Sequence, residues 1–446
     1  MNPTDTIAAI ATAAGRGAVG ILRLSGPAAF AIAERITGSL PPPRQAGLRP
    51  LRDDAGRVLD QALVLCFPGP ASFTGEDVVE LQGHGGPVLL AELLRVAVAR
   101  GARIAAPGEF SERAYLNGRL DLAQAEAIAD LIDAASTQAV HAAQRTLDGE
   151  FSQRIHRLVA QLTELRVFVE GALDFSDEDI DWLADARLAE RLAAAEALLA
   201  DTLVQAAQGR RLREGLSVAI VGQPNVGKST LLNALAGFDA AIVSEQAGTT
   251  RDLLREHLVL DGLPITVIDT AGLRETTDPL EQEGIRRAWA ALEKAELALF
   301  LVDDRQGVTA EDEALLARLP PMPRLLLRNK CDLAGHEPAV LEPGRELRLS
   351  ARAGLGLELL VAALKAQAGL CDVGEGLFLA RARHLEALRA GSLHLGLARQ
   401  RLREGAHAEL AAEELRLAQQ ALGRITGAQS SDELLGEIFR RFCIGK

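Results

Sequence analysis

A glycine-rich segment, GQPNVGKST, has the spacing of a phosphate-binding loop. Gly222 and Gly227 allow backbone N–H groups to close around phosphate oxygens, and Lys228 can reach the β- and γ-phosphates. The Ser229 hydroxyl can bind Mg2+. An apolar run precedes this segment and a helical pattern follows it, so the sequence predicts a strand, a phosphate loop and a helix. The predicted contacts of the loop are Asn225, Val226, Gly227, Lys228, Ser229 and Thr230.

Further segments complete a guanine-nucleotide site in chain order. ITVIDTAGL provides Asp269, which can hold Mg2+ through water, and Gly272, whose amide can sense the γ-phosphate. LLLRNKCD ends a strand near Asp332, whose carboxylate can accept from the guanine N1–H and 2-amino group. Adenine has neither donor there, so the ordered set predicts GTP and argues against an ATP-driven motor. The other predicted nucleotide contacts are Ser244, Gly248, Thr249, Thr250, Thr270, Ala271, Asn329, Lys330, Ser350 and Ala351.

The residues that orient the attacking water and that neutralise negative charge on the phosphates are less obvious. Leu273 stands where many GTPases have a water-orienting Gln. Carboxylates follow at Glu275, Asp278, Glu281 and Glu283, and the pattern alone leaves the choice among them open. Asn225, with carbonyl groups of the IVSEQAGTTRD segment, can form a monovalent cation site that supplies the charge of an arginine finger.

Composition limits the class of protein. The 446 residues suffice for about three domains. A net charge of -13 and a pI near 5.3 argue against a broad basic surface that wraps nucleic acid. Four widely spaced cysteines without a CxxC motif indicate a reducing compartment. There is no uncharged apolar run of about 18 residues and no leader pattern, so we expect a cytoplasmic protein.

The distribution of proline and of helical patterns indicates a multidomain α+β and α/β protein. Short β-branched runs alternate with turns in the first 118 residues, whereas Ala/Leu-rich patterns fill 120–208 and 376–440. An alternation of strands and helices lies between these helical blocks, which indicates an inserted α/β domain. The expected boundaries are 1–118, 119–214, 215–369 and 370–446.

Two short motifs have competing interpretations. GRGAVG matches the dinucleotide fingerprint, but the following ILRLSG reads as a strand where that fingerprint needs a helix. At the other end of the chain, FCIGK does not fit a prenylation box, because Gly445 and Lys446 occupy the last two positions. Cys443 is then either a packed thiol or a thiol delivered to a site, and nothing local decides between the two.

Several segments together resemble the MnmE (TrmE) family of tRNA modification GTPases, within the larger TrmE-Era-EngA-like superfamily. They are FTGEDVVELQGHGG, PGEFSERAYLNGRLDLAQAEAIADLI, GQPNVGKST, AGTTRD, DTAGLRE and the terminal FCIGK, and the resemblance covers essentially the whole chain. It implies an N-terminal folate-binding domain similar to that of aminomethyltransferases, a discontinuous helical domain and an inserted Ras-like G domain. It also implies a homodimer formed through the N-terminal domain.

The resemblance also assigns roles to individual residues. It implies Glu281 as the residue that orients water and Cys443 as a thiol close to folate or the substrate base. Arg119 departs from the lysine typical of relatives, and a planar guanidinium is not interchangeable with an ammonium. The implied ligand sets are Asn225, Ser244, Gln246 and Thr249 for K+; Ser229 and Thr250 for Mg2+; and Arg23, Glu80, Arg119 and Lys446 for 5-formyl- or methylene-tetrahydrofolate.

The implied function is GTP hydrolysis coupled to modification of the wobble uridine of certain tRNAs. An aminomethyl or carboxymethylaminomethyl group is added at C5 together with a flavin- and NADH-using partner, MnmG (GidA), in a hetero-oligomer. The acidic net charge predicts that the partner provides much of the tRNA-binding surface. The alternative is a regulatory GTPase switch in ribosome assembly, which leaves the first 210 residues and the terminal cysteine unexplained.

Overall fold

The structure is a computed structural model of the full chain. It describes residues 5–174, 186–238, 255–269, 292–370, 376–404, 408–428, 432–440, 442 and 445. Two compact units contain these residues. The first comprises Met1–Ala129, Ser152–Arg166 and Leu415–Lys446, and the second comprises Asp130–Phe151 and Val167–Glu414.

The described elements are strands and helices in the following ranges. The strands are β1 (Ile7–Ile10), β2 (Gly17–Ser25), β3 (Gly47–Arg52), β4 (Val58–Phe67), β5 (Val78–Gly85), β6 (Arg103–Ile104), β7 (Leu216–Gly222), β8 (Arg255–Leu260), β9 (Leu263–Asp269), β10 (Leu297–Asp303), β11 (Arg324–Asn329), β12 (Ala339–Glu342) and β13 (Glu346–Arg348). The helices are α1 (Ala29–Thr37), α2 (Pro87–Ala99), α3 (Glu109–Leu116), α4 (Leu122–Ile132), α5 (Thr137–Leu147), α6 (Glu150–Asp174), α7 (Ala186–Glu214), α8 (Lys228–Phe238), α9 (Ala310–Arg318), α10 (Cys331–Ala334), α11 (Leu357–Gln367), α12 (Ala382–Glu404), α13 (Ala408–Thr426) and α14 (Asp432–Arg440).

The first unit is built on a six-stranded sheet of order β3-β4-β5-β2-β1-β6. All neighbours are antiparallel except β1 and β6. Alternate residues of β2, such as Leu22 and Leu24, point into a core shared with Ile32 and Ile36 of α1 and with Val96 of α2. β2 comprises the last four residues of GRGAVG and the following ILRLS, so the predicted strand is confirmed and the helix of a dinucleotide site is absent at this position.

The C-terminal helix of the first unit packs on the beginning of α4. Ile438 and Phe439 of α14 form an apolar cluster with Leu122 and Ala125, and Phe442 completes it. The Phe439 and Phe442 rings lie 5.4 Å apart. The Cβ of any residue replacing Gly108, whose φ is +70°, would meet the Phe439 carbonyl oxygen at 2.5 Å. This close contact fixes where the chain emerges after α14.

The second unit contains a seven-stranded sheet of order β12-β13-β11-β10-β7-β9-β8. Its central strands are parallel, and the edge strands β12 and β8 pair antiparallel with their neighbours. All seven residues of β10 are buried, as expected for an uninterrupted apolar run in a parallel strand. The carboxyl ends of β7, β10 and β11 therefore meet at one edge of the sheet.

Helices complete the second unit. The Phe151 and Phe378 rings stack with centroids 4.5 Å apart. The Asp130 Oδ1 atom accepts from the Arg213 Nε atom at 2.8 Å and from the Arg381 Nη2 atom at 2.6 Å. Arg213 lies at the end of α7, just before β7, and Arg381 lies just before α12. The Asp130 carboxylate thus binds the chain just before the sheet-bearing segment, at Arg213, and again after that segment, at Arg381.

The fold agrees with the predicted multidomain combination of α+β, helical and α/β parts, while the four boundaries stay predictions. No helix among the described residues combines the length and apolar character needed to cross a bilayer.

Within the described part of the chain, Cys66 and Cys331 are free and buried. Burial raises the pKa of both thiols, which keeps them protonated.

Candidate functional site

The phosphate loop connects β7 to α8, as the sequence predicted. Gly227 has a φ of +103°, and a Cβ there would collide with the Asn329 amide nitrogen, so only glycine fits this turn. The Lys228 Nζ atom donates to the carbonyl oxygens of Gly222 and Gln223 at 2.8 and 2.9 Å. The exposed Ser229 begins the first turn of α8 beside Lys228. Backbone amides and an ammonium at a helix N-terminus make a phosphate-binding site.

Two clefts border this loop. One of about 890 Å³ runs from the phosphate loop, residues 222–230, to Glu311, Leu315 and Arg318 of α9. Another of about 590 Å³ is lined by Asn225, Asp303 and Lys330. The phosphate loop thus faces open volume on two sides, toward α9 and toward Asp303 and Lys330.

Asn329 ties three of the predicted nucleotide-binding segments together. Its Nδ2 atom donates to the Val226 carbonyl oxygen at 2.7 Å, and its Oδ1 atom accepts from the Ala351 amide at 2.9 Å. Its side chain is inaccessible at the base of the site, and Ser350 beside it is also buried. The NKCD segment, the phosphate loop and the loop of Ser350, Ala351 and Arg352, here called the SAR loop, are therefore held in one arrangement by a single amide.

Lys330 provides a second connection to the phosphate loop. The Lys330 Nζ atom donates to the Asn225 carbonyl oxygen at 2.7 Å and to the Asp303 carboxylate at 2.9 Å. Hydrogen bonds from Arg305 and Lys330 outweigh burial and hold the pKa of Asp303 far below its usual range. Asp303 was not among the predicted site residues, although the two carboxylates that end the LALFLVDD run were a visible signal. Asp332 lies exposed in the first turn of α10, next to Lys330's neighbour Cys331.

Part of the predicted site lies outside the described residues. Asp269 ends β9, and its backbone lies opposite Ile220 of β7, two residues before the phosphate loop begins. Its side chain is not described. The other predicted site residues outside the description are Ser244, Gln246, Gly248, Thr249, Thr250, Thr270, Ala271, Gly272, Glu281, Cys443 and Lys446.

The first unit brings two of the predicted folate-site residues together. The Arg23 Nη2 atom lies 2.9 Å from the Glu80 Oε1 atom, and the two residues face each other across β2 and β5. The Arg23 guanidinium also lies 5.7 Å from the ring centroids of Phe73 and Phe110. Sequence reasoning missed both phenylalanines, although each lies inside a motif that carried the family resemblance.

The C-terminus returns to the same place. The Arg23 Nη1 atom donates to the Gly445 carbonyl oxygen at 3.5 Å. Gly445 is buried with a φ of +95°, and a Cβ there would meet the Ile10 carbonyl oxygen at 2.5 Å. Residues 443 and 446 flank this anchored position. Arg119, the third predicted residue, is exposed and lies beside the turn at Gly75.

A buried ion network supports the α3 side of this region. The fully buried Glu109 carboxylate accepts from Arg103, Arg113 and the Ala106 amide at 2.6, 3.2 and 2.7 Å. Burial raises the pKa of Glu109, but these hydrogen bonds outweigh it and hold the pKa below its usual range. The network fixes the start of α3, which carries Phe110.

Comparison with known proteins matches two family models to this chain. Residues 6–119 match the family model for the GTP-binding protein TrmE N-terminus, and residues 122–443 match that for the MnmE helical domain. The tRNA modification GTPase MnmE of Sodalis glossinidius is 54% identical over 454 residues, which cover all of both chains. The chain belongs to the MnmE family. The MnmE of Thiobacillus denitrificans is 56% identical over 442 residues, which cover 99% of this chain and 98% of the relative.

Among solved structures, Era of Aquifex aeolicus bound to GDP and AlF4- is 31% identical. It covers 41% of this chain and 67% of its own, with a TM-score of 0.28. Membership of the MnmE family, together with the phosphate loop and the NKCD segment, makes this chain a P-loop GTPase. The predicted enzyme class is confirmed.

Proposed function

We propose that this MnmE-family chain is a K+-activated, Mg2+-dependent GTPase. With MnmG it would add an aminomethyl or carboxymethylaminomethyl group at C5 of the wobble uridine of certain tRNAs. The observation that carries the proposal is the combination, in one chain, of a connected GTP site with a second site at Arg23 and Glu80 to which the C-terminus returns. A GTPase that acts only as a switch has no use for the second site.

In the GTPase site, the chain's own residues bind and orient the nucleotide. Amides of the phosphate loop and the Lys228 ammonium surround the phosphates, and Asp332 accepts from the guanine. Ser229 and Thr250 would hold Mg2+, which would neutralise negative charge on the triphosphate. Glu281 orients the water. Asn225, Ser244, Gln246 and Thr249 would hold K+, which would supply the positive charge of an arginine finger. Asn225 suits this role because it is exposed within the phosphate loop and its side chain carries a carbonyl oxygen.

The second site suits a tetrahydrofolate that supplies the one-carbon unit. The Glu80 carboxylate is an acceptor for paired N–H donors of a pterin ring, and Phe73 offers a partly exposed aromatic face. Arg119 and Lys446 provide cationic groups for the glutamate tail. Cys443, two residues before the anchored Gly445, supplies a thiol nucleophile. We further propose a homodimer formed through the N-terminal unit, a hetero-oligomer with MnmG, and tRNA contacts made largely by that partner in the cytoplasm.

The test is mass spectrometry of tRNA nucleosides from cells that lack the gene and carry either wild type or Cys443→Ser. Loss of the C5-modified wobble uridine, restored by wild type alone, supports the proposal and the role of Cys443. Restoration by both would keep the pathway and remove the thiol from it. Unchanged nucleosides on deletion would favour a switch in ribosome assembly.

A further inference from the structure

A buried carboxylate, Asp304, lies directly after β10 at the edge of the sheet where the nucleotide site forms. Its side chain is 1% exposed. The Asp304 Oδ2 atom lies 2.7 Å from the His336 Nδ1 atom and 3.3 Å from the Arg348 Nε atom. Because an ionised carboxylate only accepts hydrogen bonds, the His336 Nδ1 atom carries the hydrogen. His336 and Arg348 thus face one buried negative charge from two different elements.

The partners of Asp304 lie at both ends of the segment that reads the base. Its backbone amide donates to the Asn329 carbonyl oxygen at 2.8 Å, at the start of NKCD. Its side chain holds His336, which follows Gly335, the left-handed residue that ends α10. The His336 amide in turn donates to the Cys331 carbonyl oxygen at 3.0 Å. Asp304 therefore holds both ends of the segment from Asn329 to His336, which contains Asp332.

Arg348 connects Asp304 to the SAR loop, which is the other loop that would contact the guanine. It ends β13, and the next residue, Leu349, exchanges backbone hydrogen bonds with Arg328 and Cys331. Ala351, two residues further on, donates to the Asn329 side chain. The Asp304 carboxylate consequently contacts the supports of both loops that would surround the guanine.

A helix of one turn needs such support. α10 comprises only Cys331–Ala334, and so short a helix is not stable by itself. Lys330 restrains its beginning through Asn225 and Asp303, whereas the end of α10 is restrained through His336. His336 is 49% exposed, so solvent would compete for the imidazole if Asp304 were not there to hold it. Asp332 would then have to be ordered each time a nucleotide binds.

We infer that Asp304 and His336 are positioning residues for guanine recognition, which act by fixing α10 and thereby the Asp332 carboxylate. The inference rests on the assignment of Asp332 as the guanine acceptor in the proposed function. Misplacement of Asp332 weakens its bond to the 2-amino group, so the preference for guanine over a base without that group should fall. A role in folding alone would lower the melting temperature and leave this preference intact.

The experiment measures dissociation constants of the full-length chain for fluorescent GDP and IDP, whose hypoxanthine base lacks the 2-amino group. For His336→Gln we expect the constant for GDP to rise about three- to tenfold. We expect a smaller rise for IDP, so that the IDP/GDP ratio falls. Asp304→Asn should act in the same direction. The double variant should bind GDP no more weakly than the weaker-binding single variant, since both substitutions break the contact between Asp304 and His336.

A matched control is His394→Gln, which removes another histidine–carboxylate pair, 2.6 Å long, between His394 and Glu414 of two helices. Its IDP/GDP ratio should equal that of wild type. Melting temperatures establish that each variant is folded.

Asp332→Asn tests the assignment of Asp332 as the guanine acceptor independently of the inference about Asp304 and His336. If Asp332→Asn lowers the ratio and His336→Gln leaves it at the wild-type value, the inference alone is wrong. If Asp332→Asn also leaves the ratio unchanged, the guanine assignment is wrong and the inference is overturned with it.

Discussion

The Lys330 ammonium lies 2.7 Å from the Asn225 carbonyl oxygen and so joins the base-binding segment to the phosphate loop. Asn225 has a left-handed backbone with a φ of +62°, which turns its carbonyl toward Lys330. Lys330 is itself left-handed, with a φ of +66°. Two positions of unfavourable backbone geometry thus meet at one hydrogen bond, between the loop that would hold the phosphates and the segment that would hold the base.

Lys330→Met should weaken nucleotide binding. It removes the bond to the phosphate loop and leaves Asp303 with Arg305 as its cationic partner. We expect the dissociation constant for GDP to rise at least about tenfold, measured with a fluorescent analogue. The control is Lys365→Met, which breaks a 2.7 Å pair with the exposed Asp261 and should leave the constant unchanged. Equal binding by wild type and Lys330→Met would contradict the role of this connection.

Gly227→Ala should abolish GTP binding. The added methyl group would collide with the Asn329 amide and would occupy a backbone conformation that disfavours alanine, with a φ of +103°. Gly237→Ala is the comparison, because a Cβ at this helical position meets nothing within 4 Å. That variant should be slightly more stable, by about 0.5–1 kcal/mol, with normal binding. Isothermal titration with GTP and thermal unfolding distinguish the two, and binding by Gly227→Ala would refute the geometry.

Replacement of K+ by Na+ should slow GTP hydrolysis sharply at constant ionic strength. The proposed site at Asn225 requires a cation of the size of K+ to supply charge at the γ-phosphate. Asn225→Gly should hydrolyse GTP slowly in both salts while still binding GDP, because glycine accepts the left-handed backbone and the Lys330 bond uses the backbone carbonyl of residue 225. Phosphate release in the two salts provides the measurement. Equal wild-type rates in K+ and Na+ would remove the cation from the mechanism.

Gly445→Ala should detach the C-terminus from β1. Its methyl group would meet the Ile10 carbonyl oxygen at 2.5 Å, and this backbone atom cannot move aside without disturbing the sheet. We expect loss of wobble-uridine modification in cells with GTP binding retained. Gly101→Ala has a similar φ of +106° but open space around its Cβ, so it controls for backbone strain. If both variants restore modification equally well, the anchoring of Gly445 has no functional role.

Glu109→Gln should destabilise the chain at neutral pH by about 2–3 kcal/mol. The pKa of Glu109 is lower in the folded than in the unfolded chain, so its contribution is present above the ordinary value of about 4.3. It is lost as the pH falls through the folded-state pKa, and the difference from wild type should narrow there. Glu112→Gln should change the stability in the opposite direction, because burial and the charge of Glu109 raise the pKa of Glu112.

Calorimetry at several pH values measures both variants. Glu112→Gln should be at least as stable as wild type at neutral pH, since the ionised carboxylate of Glu112 is disfavoured in the fold. A destabilisation by Glu109→Gln that does not change between pH 7 and pH 3 would mean that the charge of Glu109 is not what stabilises the network.

Local patterns predicted much of this molecule. The phosphate loop between β7 and α8 and the strand at GRGAVG depend on neighbours in the sequence, so glycine spacing and hydrophobic runs were enough to predict them. Arg23 and Glu80 depended on the family resemblance, because their contact joins residues 57 positions apart. Nothing in the local pattern of His336 indicates a partner 32 residues earlier. That pairing arises only when β10 and β11 lie side by side and bring the ends of the two strands together.

The Asp130 carboxylate, which binds both Arg213 and Arg381, has a consequence for how the chain can be cut and joined. The Gln208 side chain also donates to the Gly369 carbonyl oxygen at 3.2 Å, so the outgoing and returning stretches of polypeptide run side by side. A stretch of chain whose two ends lie close together can be removed without changing the path of the rest of the chain. We therefore expect that a short glycine-rich bridge can replace residues 216–369 while the helices on either side keep their shared carboxylate.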